Sequence, residues 1–350
     1  MFDHPDFDHH EQVVYGCDEA SGLKAIIAIH NTHLGPALGG LRIFPYASDG
    51  EALSDVLRLS RGMTYKSALA GLPLGGGKAV IIADPRRDKT PELLRAMGRL
   101  VERLGGRYIT AEDSGSSETD MQWIAEETAY VTGLRRSAGE SGDPSPFTAL
   151  GVFHGLRAAV RHGLGRDDLE GVRVAVQGVG SVGAHLARSL EKAGAKLVIS
   201  DIDASAVARL AEELGAATLP PGEILDAEVD VFAPCALGGA IDEAACRRLK
   251  ARVVAGAANN QLATPAAGEA LHRRGILYAP DYVANAGGVI EVAWQRRSDY
   301  DRQAVLAQVE RIGATLETIF ARAKREGKRP EQVADRLAEE RFRPDHPRAA

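Results

Sequence analysis

The sequence is poor in cysteine and has no long apolar run, and each shortage excludes a class of protein. Its three cysteines, Cys17, Cys235 and Cys246, form an odd set without CxxC or zinc-site spacing. We therefore expect a reducing compartment and no disulfide framework. No apolar stretch approaches membrane-spanning length, and the acidic start, MFDHPDFDHH, lacks the basic residues and apolar core of a signal peptide. These features predict a cytoplasmic protein that does not interact with membranes.

Positive charge and aromatic residues are also scarce. The chain has 42 Lys+Arg against 48 Asp+Glu, a net charge of -6, and only 5% aromatic residues. No basic patch interleaved with aromatics occurs, which argues against nucleic acid and leaves small molecules as the expected ligands. Three histidines, His4, His9 and His10, lie near the N-terminus, where we expect solvated side chains and predict no metal site.

The 350 residues, 45% hydrophobic and 26% charged, predict a folded chain of two domains. The pattern of elements changes near residues 135–150, around the turn-rich SGDPSP segment at 141–146. Before it, strands are predicted over 23–30 and 78–83, and a helix over 90–104 with Thr90 as its N-cap.

After this point a predicted helix over 147–162 is followed by short β-branched runs that alternate with helical stretches. This alternation indicates a parallel sheet covered by helices. A last long helix over 301–325 carries an apolar stripe that we expect to pack in a core or against a partner helix. The predicted strands are 172–176, 196–200, 229–233, 253–255 and 276–278.

The predicted fold class is therefore α/β, with an N-terminal α/β catalytic domain and a C-terminal, doubly wound domain of the Rossmann type. The catalytic domain is expected to span residues 1–142, with a C-terminal helix of about 326–350 packing back onto it. The nucleotide domain is expected to span 143–325.

A glycine-rich turn follows the predicted strand 172–176 and opens a helix. Gly178 permits the tight turn, Gly180 lets the backbone approach a pyrophosphate, and Gly183 allows close packing of helix and strand. The next strand ends at Asp201, 23 residues after Gly178, where a carboxylate can bind a ribose hydroxyl. Because Asp201 and the nearby Asp203 would repel a 2'-phosphate, the predicted cofactor is NAD. The same site is expected to include Ser181, Val182 and Ile202.

Lysine is rare, with nine lysines against 33 arginines, so the positions of the lysines are informative. Lys66 and Lys78 lie in an almost uncharged segment, GMTYKSALAGLPLGGGKAVIIADP. A desolvated lysine can lose its proton and act as a base. The glycines at 75–77 are expected to let a ligand approach the main chain just before Lys78. The alternative is that both lysines extend their charged ends into solvent from the ends of elements.

The segment LPLGGGKAVIIADP at 72–85 resembles the active-site signature of the glutamate/leucine/phenylalanine/valine dehydrogenase family. The likeness covers nearly the whole chain. The other segments that carry it are GPALGGLR at 35–42, GMTYK at 62–66, RYITAEDSG at 107–115, SGDPSPFTALGV at 141–152, PCALGG at 234–239, GAANNQL at 256–262 and APDYVANAGGVIEV at 279–292.

The resemblance implies a reversible oxidative deamination, in which a 2-amino acid, NAD and water give a 2-oxo acid, ammonia and NADH. It implies that Lys78 is the catalytic lysine and that Asp113 exchanges protons with the substrate amine. It also implies that Lys66, with the backbone of Gly39 and Gly40, holds the substrate carboxylate. Glu112 is a neighbouring rival for the role of Asp113, but the family motif places the acid one residue later.

The resemblance further implies cofactor contacts from Thr148, Ala236 and Asn260, although Thr148 could simply cap a helix and Asn260 could simply hold a turn. Glutamate-specific members carry a lysine at the position of Leu38 and a serine at that of Val292. The aliphatic residues here argue against glutamate, because its carboxylate would be buried without a partner. We expect Glu291 to point away from this pocket. The side-chain pocket is predicted to comprise Leu38, Met63, Ala111 and Val292.

The predicted substrates are therefore branched-chain aliphatic L-amino acids, namely leucine, valine and isoleucine. An aromatic amino acid (Phe, Tyr or Trp) is the alternative substrate within the same family. A more remote alternative is a non-catalytic NAD-sensing protein. We also expect a homo-oligomer.

Overall fold

The computed structural model describes residues 1–134 and 143–343 and divides the chain into two compact units. The first unit draws on Met1–Asp143, Gln295–Tyr300 and Ala338–Ala350, and the second on Pro144–Trp294 and Asp301–Leu337. Residues 135–142, which hold part of the predicted SGDPSP turn, and residues 344–350 of the predicted C-terminal helix lie outside the described residues. The predicted domain limits stay a prediction.

The first unit contains a mixed five-stranded sheet in the order β1-β2-β4-β3-β5. Strands β1 and β2, and β2 and β4, pair antiparallel, whereas β3 pairs parallel to both β4 and β5. The strands are β1 (Gln12–Asp18), β2 (Leu23–Asn31), β3 (Ala37–Phe44), β4 (Gly75–Ile82) and β5 (Tyr108–Glu112). The helices are α1 (Asp49–Leu69), α2 (Pro91–Glu102) and α3 (Glu118–Ala125).

Helices cover both faces of this sheet, and the strand residues alternate between two apolar clusters. Ile26, Ala28 and Val80 pack with Ala52, Val56 and Leu57 of α1. Ile27, Ile29, Ala79 and Ile81 pack on the other face with α2 and α3, and Leu41 and Ile43 of β3 share that face. Because both faces are buried, the central strands read as continuous apolar runs.

The second unit contains a six-stranded parallel sheet in the order β11-β10-β9-β6-β7-β8, with helices between the strands. This confirms the predicted Rossmann-type architecture. Its strands are β6 (Arg173–Gln177), β7 (Lys196–Ser200), β8 (Ala217–Thr218), β9 (Val231–Pro234), β10 (Val253–Val254) and β11 (Leu277–Tyr278). Its helices are α4 (Ser145–Leu164), α5 (Ser181–Lys192), α6 (Ala204–Leu214), α7 (Glu243–Arg248), α8 (Pro265–Arg273), α9 (Asp281–Ala284), α10 (Gly287–Gln295), α11 (Arg302–Glu326) and α12 (Pro330–Phe342), with a 3-10 turn at Ile224–Asp226.

Local signals placed several elements within two or three residues of their observed limits. Thr90 caps α2, its hydroxyl accepting from the Leu93 N–H at 3.2 Å, and α11 matches the predicted long helix to within one residue at each end. Strand β4 begins three residues earlier than predicted, at Gly75. The sequence patterns predicted no element at β1, β3, β5 or α1.

The end of α12 lies in the first unit. Phe342 packs edge-on against Tyr65 of α1, and Arg341 donates to the carbonyl of Ala68 at 2.6 Å. The Tyr65 hydroxyl donates to Glu339 at 2.7 Å. Among the described residues, no helix combines the length and apolar character needed to cross a membrane.

The prediction that the N-terminal histidines are solvated is wrong for His10. Its side chain is buried, and Nε2 lies 3.0 Å from the Leu57 carbonyl and 3.1 Å from the Ser60 hydroxyl. Burial and the neighbouring His30 lower the pKa of His10 to about 4. The sequence missed this because tertiary packing on α1, rather than closeness to the terminus, decides the burial.

Candidate active site and nucleotide site

Lys78 and Asp113 form an ion pair in the first unit. Lys78 lies on β4 and is only 5% exposed, and its Nζ donates to Oδ2 of Asp113 at 2.6 Å. Asp113 directly follows β5, two strands away in the sheet. The lysine is therefore desolvated, as predicted, and the alternative in which its charged end extends into solvent is wrong for Lys78.

Asp113 stays ionised in this environment. Burial raises the pKa of its carboxyl, but the charges of Lys78 and Arg42 outweigh burial and lower the pKa to about 2. The carboxylate is therefore charged at neutral pH and can pair with a cationic group.

The loop after β5 holds Asp113 in place. The Ser116 hydroxyl accepts from the Asp113 N–H at 2.9 Å and donates to the carbonyl of Leu41 on β3 at 2.8 Å. The neighbouring Glu112 is exposed. The geometry thus pairs Asp113, rather than Glu112, with the lysine.

The predicted substrate residues of the first unit, apart from Gly39, lie on the α1 side of the sheet. Strand alternation places Leu38 and Gly40 opposite the face of Leu41 and Ile43, and therefore on the α1 side with Lys78. Leu38 is 1% exposed, and Ala111 on β5 pairs with Gly40. Met63 and Lys66 are partly buried on α1, and Gly39 is buried on β3.

The glycines before Lys78 each have a packing reason, and the expected approach of a ligand to their main chain stays a prediction. A Cβ on Gly75 would collide with the Asn31 carbonyl, one on Gly76 with the backbone of Thr64, and one on Gly77 with the Tyr108 ring. The chain itself fills the space beside these glycines, which lets α1 lie close to β4. Gly40 plays a related part, because a Cβ there would come within 2.7 Å of the Asp113 Cβ.

In the second unit Gly178 and Gly183 have the predicted physical reasons, and the approach of a pyrophosphate to Gly180 stays a prediction. Gly178 adopts a φ of 98°, in the left-handed region that favours glycine, and a Cβ on Gly183 would collide with the Gly178 carbonyl. A Cβ on Gly180 would meet nothing within 4 Å. Helix α5 starts at Ser181 without a side-chain cap or an acidic first-turn residue, so the N–H groups of its first turn, including Val182, remain available to a phosphate.

Asp201 orders the glycine loop. Its Oδ2 accepts from the Val179 N–H at 2.7 Å and its Oδ1 from the Asp203 N–H at 3.0 Å. Ile202 is 92% exposed. The adjacent strands β6 and β7 end at Gln177 and Ser200. The side-chain atoms Gln177 Oε1 and Ser200 Oγ are buried without hydrogen-bond partners.

Strand β6 lies between β7 and β9, so the chain order reverses at β6, where doubly wound sheets bind their ligands. Ala236, exposed after β9, lies close to Gly178, since a Cβ on Gly178 would come within 2.7 Å of the Ala236 nitrogen. The open glycine, the uncapped helix and the acid together fit a dinucleotide.

The remaining predicted residues of the second unit have structural roles of their own. Thr148 lies within α4, not at its cap, and its hydroxyl donates to the Pro144 carbonyl at 3.2 Å. Asn260 adopts a φ of 51°, which asparagine tolerates, and its carbonyl accepts from the Gly239 N–H at 2.7 Å. Val292 is partly buried on α10, beside the buried Glu291. Their roles towards ligands stay predictions.

Three further residues with contacts in these segments were not predicted from the sequence. Arg42 and Ser116 contact Asp113, and Asn285 donates to the Ala257 carbonyl at 3.0 Å while its own Oδ1 is buried without a partner. Arg42 and Asn285 lie inside the quoted motifs GPALGGLR and APDYVANAGGVIEV, and Ser116 follows RYITAEDSG. Single residues within these motifs do not reveal their partners.

Family models match both parts of the chain. The model described as Glu/Leu/Phe/Val dehydrogenase, dimerisation domain, matches residues 9–130, and the one described as Glutamate/Leucine/Phenylalanine/Valine dehydrogenase matches residues 139–208 and 201–338. The chain belongs to the Glu/Leu/Phe/Val dehydrogenase family. The resemblance in the sequence motifs is confirmed, and the chain is an amino acid dehydrogenase rather than a non-catalytic sensor.

Individual relatives of the Glu/Leu/Phe/Val dehydrogenase family match over nearly their whole length. A leucine dehydrogenase of Geobacillus stearothermophilus is 53% identical over 98% of this chain and 93% of its own length. A valine dehydrogenase of Streptomyces virginiae is 51% identical over 97% and 95%. The crystal structure of an L-tryptophan dehydrogenase from Nostoc punctiforme superposes with a TM-score of 0.85 at 45% identity, covering 96% of each chain.

Proposed function

We propose that this chain catalyses the reversible, NAD-dependent oxidative deamination of branched-chain aliphatic L-amino acids. The observation that carries the proposal is the desolvated Lys78, whose Nζ contacts the ionised Asp113 at 2.6 Å. The similarity to leucine and valine dehydrogenases supports the substrate class.

The residues of the first unit divide the chemistry between them. Lys66 and the backbone of Gly39 and Gly40 hold the substrate carboxylate. Asp113 accepts a proton from the substrate ammonium group, which leaves a neutral amine whose lone pair drives hydride departure from the α-carbon. A bound nicotinamide dinucleotide supplies the hydride acceptor.

Lys78 acts on the second half of the reaction. In its neutral form it takes a proton from the water that adds to the α-carbon, and in its charged form it stabilises the developing carbonyl oxygen. Asp113 returns its proton to the departing amine. The amino acid in its ammonium form, NAD⁺ and water thus give 2-oxo acid, ammonium, NADH and one proton.

The apolar residues near Lys78 favour an aliphatic side chain. Leu38 is 1% exposed and Ala111 is 9% exposed on the α1 face of the sheet. A glutamate carboxylate buried against them without a partner would cost several kcal/mol. An aromatic substrate is the second candidate, because the solved relative at 45% identity is a tryptophan dehydrogenase. A change of one or two methylenes discriminates by only about 1–3 kcal/mol.

The cofactor is NAD rather than NADP. Family membership supports a nicotinamide dinucleotide, and Asp201 supports the finer choice, since its carboxylate lies in the loop where a 2'-phosphate would need a positive partner. The nucleotide contacts proposed are the first-turn amides of α5 for the pyrophosphate and Asp201 with Ile202 for the ribose. Thr148, Ala236 and Asn260 are proposed for the nicotinamide end.

We propose a homo-oligomer in the cytoplasm. The matched family model over residues 9–130 is described as a dimerisation domain, and all three cysteines are unpaired. Size-exclusion chromatography with light scattering tests the first point. A monomer at micromolar concentration would contradict it.

NADH formation at alkaline pH tests the activity, with leucine, isoleucine, valine, phenylalanine, tryptophan and glutamate as substrates. Turnover of the three aliphatic substrates above all others is expected, and Lys78→Ala should abolish it while NAD binding, measured by calorimetry, persists. Preference for tryptophan or phenylalanine would move the assignment to the aromatic alternative. No turnover of any substrate would overturn the proposal.

A further inference from the structure

His30 is a buried residue at a bulge in the sheet of the first unit. Where β2 pairs with β4 the register shifts between Ile29 and Asn31, which makes His30 the bulged residue. Its side chain reaches α1, where Nδ1 lies 2.8 Å from the Thr64 hydroxyl, and only 1% of the residue is exposed. A bulge commonly redirects a side chain, and this one joins β2 to α1.

Thr64 is the point where α1 rests on β4. A Cβ on Gly76 would collide with the Thr64 backbone nitrogen, so helix and strand are in direct contact there. Gly76 precedes Lys78 by two residues, and Thr64 precedes Lys66 by two residues. The two segments that carry these lysines therefore meet at Thr64, and His30 holds Thr64 from β2.

Asp8 orients the His30 ring. Nε2 of His30 lies 3.4 Å from Oδ2 of Asp8, which also accepts from Arg61 Nε at 2.9 Å. Burial outweighs the Asp8 charge and lowers the pKa of His30, so the ring is neutral at neutral pH. Because a carboxylate only accepts, it favours a proton on Nε2, and Nδ1 then accepts from the Thr64 hydroxyl. The alternative acceptor for that hydroxyl, the Ser60 carbonyl, is 3.4 Å away.

We propose that His30 is a positioning residue that sets, through the Thr64 hydroxyl, the place of Lys66 relative to Lys78. This inference rests on the proposed function, in which Lys66 holds the substrate carboxylate. A shift of α1 on the sheet moves Lys66, whereas Lys78 and Asp113 stay with the strands. Loss of the hydrogen bond should weaken the hold on the carboxylate equally in the substrate complex and in the transition state, which raises KM more than it lowers kcat.

Thr64→Val tests the proposal by replacing the hydroxyl with a methyl group. A carbon atom needs about 3.5 Å from the ring nitrogen, so α1 must move by about 0.7 Å near Thr64. Since a misplacement near 1 Å costs about 10²-fold, we expect KM for leucine to rise about tenfold. The values of kcat and of KM for NAD should stay within about threefold of wild type.

Thr64→Ser is the conservative variant, because it retains the hydroxyl. It should keep KM for leucine near that of wild type. An unchanged KM in Thr64→Val, or a rise in Thr64→Ser as large as that in Thr64→Val, would overturn the proposal.

Two variants of His30 separate the parts of its two nitrogens. The amide of Asn reaches the position of Nδ1 and that of Gln the position of Nε2, so His30→Asn can keep the bond to Thr64 and His30→Gln the contact with Asp8. We expect KM for leucine near that of wild type in His30→Asn and about tenfold higher in His30→Gln. Equal KM values, or the reverse order, would overturn the proposal. This pair also decides the outcome if Thr64→Val does not fold.

The matched control is Ser60→Ala, one turn earlier on α1. Ser60 is also fully buried, and its hydroxyl lies 3.1 Å from Nε2 of a second buried histidine, His10. This variant should lower the free energy of unfolding, measured with urea, but keep KM for leucine. A rise in KM as large as that in Thr64→Val would show that any loss of packing on α1 has this effect, and would contradict a specific role of His30.

Crystal structures of wild type and Thr64→Val without substrate measure the spacing directly. We expect the separation of the Lys66 and Lys78 Cα atoms to differ by about 0.5 Å or more between the two proteins. An unchanged separation would overturn the proposal. Because this comparison needs no turnover, an inactive wild type would contradict the proposed function, while the structures still decide the role of the bond between His30 and Thr64.

Discussion

Adding one methyl group at Gly40 is predicted to inactivate the enzyme while leaving it folded. A Cβ at this position would lie 2.7 Å from the Asp113 Cβ and 2.7 Å from the Glu112 carbonyl oxygen. Ordinary contact begins at 3.4 Å, so the end of β5 must move by about 0.7 Å. Neither neighbour is the far end of a flexible side chain, so the backbone itself has to give.

The displacement would move Asp113, which the proposed reaction requires. Asp113 holds Lys78 at 2.6 Å, and a misplacement near 1 Å costs about 10²-fold in rate, equal to about 2.7 kcal/mol of transition-state stabilisation. Overpacking should lower the free energy of unfolding by about 1–3 kcal/mol. We therefore expect kcat for leucine to fall about 100-fold in Gly40→Ala.

Steady-state kinetics with leucine and NAD, together with urea unfolding, test this prediction. Gly50→Ala is the control, because its Cβ would meet only the Ser48 hydroxyl at 3.7 Å, and it should keep wild-type kcat. Wild-type activity in Gly40→Ala would refute the argument that Gly40 is there to leave room for Asp113.

Three further predictions concern the nucleotide site and stability. Asp201→Ala should raise the ratio of kcat/KM for NADP to kcat/KM for NAD about tenfold or more, because a repelling charge is removed. Asp203→Asn, which retains the α6 cap, should change this ratio less. Equal effects of the two variants would reassign the discrimination to Asp203. Gly183→Ala should abolish NAD binding or the folding of the second unit, since its Cβ would collide with the Gly178 carbonyl; normal calorimetric binding to a folded variant would contradict this. Folding lowers the pKa of His10 from its ordinary 6.5 to about 4, so between these pH values the unfolded chain binds the extra proton and the free energy of unfolding falls as pH falls. Urea unfolding should show a loss of about 2 kcal/mol from pH 7 to 5, and His10→Asn should remove most of that dependence.

Much of the second unit could be predicted from its sequence. The strand β7 matched its predicted limits, and Gly178 and Gly183 have the predicted reasons to be glycine. These features are local, because a tight turn and a close helix involve residues within about six positions of one another. A strand that alternates with a helix also allows few topologies.

The sheet of the first unit was harder to predict from sequence, because its strands pair with segments that are distant in the chain. Strand β3 inserts between β4 and β5, although it precedes both in the chain, and its glycine-rich sequence carries little strand propensity. The glycines at 75–77 were interpreted as making room for a ligand, whereas the space beside them is filled by the chain itself. Which neighbour occupies that space depends on the whole sheet.

The active site shows the same division. The sequence alone identified Lys78 as a buried lysine, because the residues that flank it are apolar or glycine. The family resemblance implied a role for Asp113. Its ion pair with Lys78, 35 residues away, and its contact with Arg42, 71 residues away, emerged only from the structure. Periodicity records whether a residue is buried, but hydrogen-bond partners are set by the order of strands, and only tertiary structure decides that order.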